Sequence, residues 1–385
     1  MTSSARQLRW LVLCWSLSLK VLAGESMAVF PKPDFAAIKP GLDFAELKIA
    51  SIPWRICIVR LDRHVAGLQL RSTLGGGRHF GLATVPAQAR ATTTPGWTPL
   101  AAINGGYFRE ARGFERGTLA GLLILDGEIV SRPANTTFWV DATNGLHIAV
   151  IHPKMEIVWP DGEASPLGLN ELPATNRPSL ITRRFGARMP ATEGLVVELH
   201  SAAGQPWPAL RPNSNYLAKA RRLLTPVGVE VPVGGALLLA HPAQAGRLER
   251  LETGSLLRFS TALSQDLSPA LTALGAGPTL LTEGITNEKL LAPKADQRRN
   301  PRTAVGFNAR YCFLVVVDGR ALSSAGMTYA ELARFLAQLG CTEAMNLDGG
   351  TSTTMWLNGK VVNSPSGWIT PAVADALVVL RRTTE

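Results

Sequence analysis

The chain has 385 residues, 39 Lys and Arg against 29 Asp and Glu, a formal net charge of +10 and 46% hydrophobic residues. That length has room for two domains, but no Pro/Ser linker or long charge run divides it, so one large domain is expected. The cations are scattered, with only short pairs such as Arg183-Arg184, Arg221-Arg222 and Arg298-Arg299, and no aromatic residues interleave them. This argues against a nucleic-acid platform and for a solvated or anion-attracting surface.

At the N-terminus, Arg6 and Arg9 precede the apolar run Trp10 to Leu19, and Val21-Leu22-Ala23 follows with small residues in the cleavage-site positions. This is the pattern of a secretory signal peptide, and the run is too short to span a bilayer. Cys14 follows Leu-Val-Leu, which lacks the small residue of a lipoprotein signal. Residues 1–23 are therefore expected to be cleaved, leaving a soluble periplasmic or secreted protein with no membrane span. Cleavage removes Arg6, Arg9 and Lys20 but no acid, so +10 becomes +7. Three cysteines then remain, an odd number that does not suit a disulfide framework. Cys312 and Cys341 stand at the starts of two strands expected to be neighbours; they are either bonded or buried thiols, and Cys57 reads as core.

Residues 24–52, interrupted by Pro31, Pro33 and Pro40, read as a tether, with the domain proper over 53–383. Trp54 to Leu61 and Leu68 to Leu74 read as paired strands, and Gly75-Gly76-Gly77-Arg78 as a loop without the Lys-Ser/Thr ending of a phosphate-binding loop. Leu100 to Ile103 is a short strand ending at Asn104-Gly105-Gly106-Tyr107-Phe108. There Asn104 could bond a sugar hydroxyl and Tyr107 or Phe108 face a ring, or the segment is a glycine turn with its aromatic pair packed inward. Leu119 to Leu125 and Glu128 to Val130 form a hairpin on Asp126-Gly127. From Trp139 to Leu263 short strands alternate with Pro, Gly and Asn turns, which predicts antiparallel sheet over His147–Ile151, Glu156–Trp159, Leu195–Leu199, Gly228–Val231 and Ala236–Leu239. The six histidines are dispersed without metal-ligand spacing, so neither a metal site nor a cofactor is expected.

Near the C-terminus, Arg302-Thr303 leads into a strand over Ala304–Phe307, and Tyr311 to Val317 is an unbroken apolar run that reads as a strand buried on both faces. It ends at Asp318-Gly319-Arg320. Thr328, with Glu331 three residues on, caps a helix whose Leu332, Phe335, Leu336 and Leu339 repeat at helical spacing until Gly340. Glu343 to Leu347 follows as a strand. Strand, helix and strand make a crossover unit, so the two strands should run parallel and deliver Asp318 and Asp348 to one carboxyl edge, where such sheets bind ligands. Asp348-Gly349-Gly350-Thr351-Ser352 sets a carboxylate beside a backbone path able to gather amide N–H groups around an anion. Asn358-Gly359 turns a further hairpin, and Ala372 to Leu380 is the last strand. The fold class expected is α+β, a β-rich mixed sheet with few helices and a βαβ crossover near the C-terminus.

In order, Asn104-Gly105-Gly106-Tyr107-Phe108, Gly275-Ala276-Gly277-Pro278 with Glu283-Gly284, Arg302-Thr303-Ala304-Val305-Gly306, Val317-Asp318-Gly319-Arg320 and Asn346-Leu347-Asp348-Gly349-Gly350-Thr351-Ser352 resemble the landmarks of phosphodiester glycosidase domains. That family includes the lysosomal uncovering enzyme and bacterial relatives associated with exopolysaccharide. Two departures stand out. Thr351 replaces a third glycine, and Gly367 to Pro371 replaces a segment that often carries a Glu-Arg pair. The resemblance implies hydrolysis of a sugar-1-phosphodiester at the anomeric carbon, with a carbohydrate or sugar-phosphate partner. On this reading Asp348 is the first catalytic candidate and Asp318 the second. Arg302 and the Gly349-Gly350 amides neutralise the departing phosphate, and Asn104, Gly105, Tyr107, Gly277, Thr303, Arg320, Thr351 and Ser352 complete the substrate-binding candidates. The alternatives are a noncatalytic glycan-binding or exopolysaccharide-assembly module, and a phosphodiesterase cutting the P–O bond, which would normally want a metal cluster.

Overall fold

Tyr311–Val317 is buried on both sides because it lies inside an eight-stranded sheet. The strand order is Ala36–Lys39, Leu42–Ile49, Trp54–Asp62, Tyr311–Val317, Arg302–Phe307, Glu343–Asn346, Thr279–Thr282 and Ile285–Thr286. The computed structural model describes residues 30–110, 115–189, 191, 193–225, 227–292, 296–367 and 369–383. The expected signal peptide, and Trp368 in the segment Gly367 to Pro371, lie outside the described residues. Lys32–Glu385 form one compact unit, which contains all the elements of the sheets.

The helix Tyr329–Gln338 has the expected capping box: the Glu331 N–H donates to Thr328 Oγ1 at 3.1 Å, and Thr328 N–H donates to Glu331 Oε2 at 2.9 Å. Leu332, Phe335 and Leu336 are its buried stripe. The helix carries the chain from Tyr311–Val317 to Glu343–Asn346, and these strands do run in the same direction. They are not neighbours, however. Arg302–Phe307 lies between them, antiparallel to both, with Arg302 opposite Val317 and Ala304 opposite Asn346. The expected crossover is thus split, and every pairing in this sheet is antiparallel rather than mixed; a parallel pair occurs elsewhere, between Gly168–Leu169 and Ser179–Ile181. The split also corrects the cysteine reading. Cys312 and Cys341 flank Arg302–Phe307 and are free buried thiols, as is Cys57.

The tether expected over 24–52 is corrected from residue 36 onward. Leu42–Ile49 pairs along the whole of Trp54–Asp62, with Leu42, Ala45 and Leu47 buried and Asp43 and Glu46 bound to Arg60 and Arg55 at 2.7 and 2.6 Å. Counting prolines hid the strand, because Pro40 sits at the turn before it and Gly41 takes φ +79° there. Leu68–Ser72 also pairs differently from expectation. It joins Ala376–Arg382 in a five-stranded sheet whose order is Lys360–Val361, Met355–Leu357, Trp97–Asn104, Ala376–Arg382, Leu68–Ser72. Both expected two-residue hairpins are present, with positive φ at Asp126-Gly127 and Asn358-Gly359.

A second five-stranded sheet, containing Leu123–Leu125, Glu128–Ser131, Thr136–Asp141, Leu146–Val150 and Ala270–Ala276, separates two cores. Successive residues point to opposite faces. Leu123, Leu125, Phe138, Val140 and Leu274 join the core under the first sheets, while Leu122, Ile124, Trp139 and Ala273 join a core built by the remaining eight-stranded sheet between Glu156 and Ser260. Each fully buried Leu or Phe contributes on the order of 2 kcal/mol, so a strand anchored on both faces makes a stiff support. Gly228 to Val231, expected as a strand, makes only an isolated bridge from Glu230 to Arg188, while Asn215–Leu224 is a ten-residue strand that sequence alternation did not reveal.

Candidate functional site

Antiparallel placement of Arg302–Phe307 brings its first residue to the same edge as the ends of the two strands beside it. Arg302, Asp318 and Asp348 therefore converge, as expected for the two aspartates. The second sheet meets that edge. Asn104, at the end of Trp97–Asn104, donates from Nδ2 to the Asp348 carbonyl at 2.6 Å, and its Oδ1 accepts Thr303 Oγ1–H at 2.8 Å and the Thr354 N–H at 3.1 Å. Asn104 is fully buried with three of its four hydrogen-bonding positions occupied, so it fixes the Asp348 turn to both sheets and does not reach a sugar hydroxyl. Thr303 is buried with it.

Asp348 is half-buried. Ser352 and the Gly349 N–H both bond its carboxylate and favour the ionised form, yet burial outweighs them and, with Glu110 nearby, pushes its pKa up to about 6. The amides expected to cradle an external phosphate are used otherwise. The Gly349 N–H serves Asp348 itself and the Gly350 N–H donates to the Pro301 carbonyl at 2.9 Å, so the nest holds the protein's own carboxylate.

Asp318 does not stand free. Its carboxylate accepts Arg55 Nη1–H at 2.9 Å, Asn363 Nδ2–H at 2.9 Å and the Ser364 N–H at 3.0 Å, and its side chain is 4% exposed. Arg55 in turn donates to Glu46, Ser364 and the Val362 carbonyl. Asp318 is thus the centre of a clasp between the first sheet and the segment after the Asn358-Gly359 hairpin, rather than the free carboxylate expected. Arg302 is corrected in the same way. Its Nε–H and Nη2–H, the edge suited to a bidentate phosphate, donate to the carbonyls of Met327 at 2.8 Å and Arg298 at 3.0 Å, and the guanidinium lies 3.8 Å above the Tyr329 ring.

The other wall is Tyr107, whose hydroxyl donates to the Gly277 carbonyl; Asn346 Nδ2–H also reaches Gly277 O at 3.0 Å and the Tyr107 hydroxyl at 3.3 Å. Burial raises the Tyr107 phenol, and Tyr329 and the Asp348 charge add to it. Gly277 is thereby a backbone strut rather than a ligand contact. Of the remaining candidates, Gly105 is spent on backbone bonds to Asp375 and Asp348, while Arg320 and Thr351 are exposed. Arg320 is held by Asn300 at 3.1 Å with its guanidinium against Gly350, where a Cβ would lie 3.3 Å from Nη2.

Sequence reasoning missed Asp375. It is buried between Ala374 and Ala376, and its Oδ1 accepts the Gly106 N–H at 2.9 Å. A Cβ on Gly105 would lie 2.6 Å from that oxygen, so the pair of glycines is what lets the loop close over the acid. Burial pushes Asp375 up to about 7, the Gly106 N–H lowers it and the Asp348 charge raises it. The signal was a lone acid in an otherwise apolar final strand. Its consequence is testable. With the folded pKa above the unfolded value of about 3.9, stability is greatest at low pH and is lost as pH rises through about 7. Asp375→Asn keeps an acceptor for Gly106 and cannot ionise. Relative to wild type, its midpoint of thermal unfolding should rise progressively from pH 4 to pH 8; equal pH dependence of the two proteins would contradict the assignment. Among the described residues, no group of three or more His, Cys, Asp and Glu is placed to hold a metal ion, and no helix is long and apolar enough to cross a membrane.

Residues 212–380 match the sequence model of the phosphodiester glycosidase family. The chain is 35% identical over 82 residues to the SPbeta prophage-derived uncharacterized protein YomE of Bacillus subtilis (strain 168), a stretch covering 21% of this chain and 13% of that protein. A hypothetical protein from Synechocystis superposes with a TM-score of 0.72 at 20% identity, covering 91% of this chain and 64% of the other. A candidate exported protein from Burkholderia pseudomallei K96243 superposes with a TM-score of 0.66 at 23% identity, covering 85% and 74%. These two likenesses show the fold. The chain spans less than two thirds of the length of both the Bacillus protein and the Synechocystis protein.

Proposed function

From the match of residues 212–380 to the phosphodiester glycosidase family, we propose that this chain is an exported hydrolase that cleaves the C1–O bond of a sugar-1-phosphodiester in a phosphoglycan or envelope polysaccharide. The observation that carries the reading is Asp348, a half-buried carboxylate fixed by Ser352 and Gly349 where two sheets meet and pushed up to about 6. Above that pH it is ionised and faces the positive charge that develops on C1 as the bond breaks. The bonding pair leaves with the phosphate oxygen, water supplies oxygen to C1, and the water proton passes to the carboxylate or to solvent. A phosphate leaving group is a weak base and needs charge neutralisation more than protonation. The exposure of Arg320 beside Gly350 supports it, rather than Arg302, as the cation for this role.

The noncatalytic glycan-binding reading has less support, because a recognition pocket has no need of an acid tuned to within a unit or so of neutral pH. The test is an initial-rate comparison of a sugar-1-phosphodiester panel with matched methyl glycosides. Turnover of a phosphodiester and not of its methyl glycoside supports the proposal. Binding of the whole panel with no turnover of any member favours the recognition module.

A further inference from the structure

Away from Asp348, Arg132, Arg78 and Arg183 line two neighbouring cavities, and Arg78 and Arg183 have no acidic partner among the described residues. The first cavity, of about 160 Å³, holds Arg132, whose Nε is buried with no hydrogen-bond acceptor. Of the acids around it, Glu115 pairs with Arg109 at 3.3 Å, and Glu171 pairs with Arg177 at 3.2 Å while its charge also acts on Arg132. The second cavity, of about 580 Å³, is lined by Arg78, Arg183 and Arg184, and its one glutamate, Glu128, is paired with Arg184. Arg78 and Arg183 are exposed there with no ion pair among the described residues. The two cavities share a wall, since Glu128 and Ser131 are the ends of one strand and Arg184 and Phe185 are consecutive, one of each pair lining each cavity. At the near end the surface reaches Arg109, the residue before Glu110, whose charge acts on Asp348.

We propose that this cleft, from Arg132 to Arg78 and Arg183, binds a segment of an anionic polysaccharide extending from the site at Asp348. The proposal rests on the glycosidase reading for the ligand being a glycan. Arg78 and Arg183, without acidic partners among the described residues, and Arg132, which shares Glu171 with Arg177, are spread over two neighbouring cavities and suit a chain carrying repeated single negative charges, whether uronate or phosphodiester, better than one compact anion. The larger cavity is within the range of ordinary ligand sites, and Trp207 is its aromatic lining residue. A single aromatic residue does not make the series of stacking platforms that single-stranded nucleic acid uses.

The test measures binding of the full chain to an oligogalacturonide, to neutral dextran and to a single-stranded oligodeoxynucleotide across a salt series. Wild type should bind the oligogalacturonide with an affinity that falls with salt. The exposed-site variant Arg78→Gln/Arg183→Gln should weaken it by about tenfold and flatten the salt slope by about two. Arg132→Gln, measured separately with its unfolding midpoint, should weaken it as well. Unchanged binding by Arg78→Gln/Arg183→Gln, equal binding of dextran, or preference for the oligodeoxynucleotide would each overturn the inference. If no sugar-1-phosphodiester is hydrolysed while this binding pattern holds, the inference stands and the glycosidase reading alone falls.

Discussion

Asp348→Asn is expected to lower turnover of a sugar-1-phosphodiester by about 10³-fold while the protein stays folded. The carboxamide fills the same space and keeps one acceptor oxygen for the Gly349 N–H or Ser352, whose hydroxyl can in turn accept from the amide NH2, so the turn survives while the charge is lost. Burial disfavours that charge in the folded protein, so its removal should raise stability above pH 6 rather than lower it. In wild type the ionised form is the working one. The activity profile should therefore rise through an acid limb near pH 6, falling about tenfold for each unit below it. Asp375 titrates above this limb, near 7, with the Asp348 charge among the causes that raise it, so Asp375→Asn should leave the limb near pH 6. A fully active Asp348→Asn enzyme would remove Asp348 from the mechanism.

Asp318→Ala has the largest expected effect on stability. It takes the buried one of two carboxylate partners from Arg55, which keeps Glu46, Ser364 and the Val362 carbonyl, and it leaves the Asn363 amide and Ser364 N–H without that acceptor. Loss of one partner of a buried ion pair costs about 3 kcal/mol or more. The measurement is the urea midpoint, with the m-value checked for constancy. Asp318→Asn, which retains one acceptor oxygen, should fall between wild type and alanine and keep measurable turnover in its folded fraction. A stable but inactive Asp318→Asn enzyme would return Asp318 to the reacting groups and contradict the clasp.

The contrast between the two aspartates marks how far sequence reaches. Each follows a strand and precedes a glycine, and both do stand at one edge, because the helix between them was readable from its capping box and its leucine spacing. What separates them is partners remote in sequence. Arg55 meets Asp318 across 263 positions, and no local period carries that information. Arg302 looked like a phosphate ligand for the same reason, since the carbonyls that occupy it are set by the loops at Arg298 and Met327. The hairpins at Asp126-Gly127 and Asn358-Gly359 were legible because their chemistry is local. Leu42–Ile49 was hidden by the prolines ahead of it. Asp375 was hidden by an apolar strand whose pairing with Trp97–Asn104 brings Gly105 and Gly106 onto its carboxyl.

The central claim is that the bond broken lies between the sugar carbon and oxygen. Hydrolysis of a sugar-1-phosphodiester in isotopically heavy water, with mass analysis of both products, tests it most directly. Attack at C1 places the solvent oxygen on the released sugar and leaves the phosphate product unlabelled. Label found only in the phosphate product would show P–O cleavage and contradict the account.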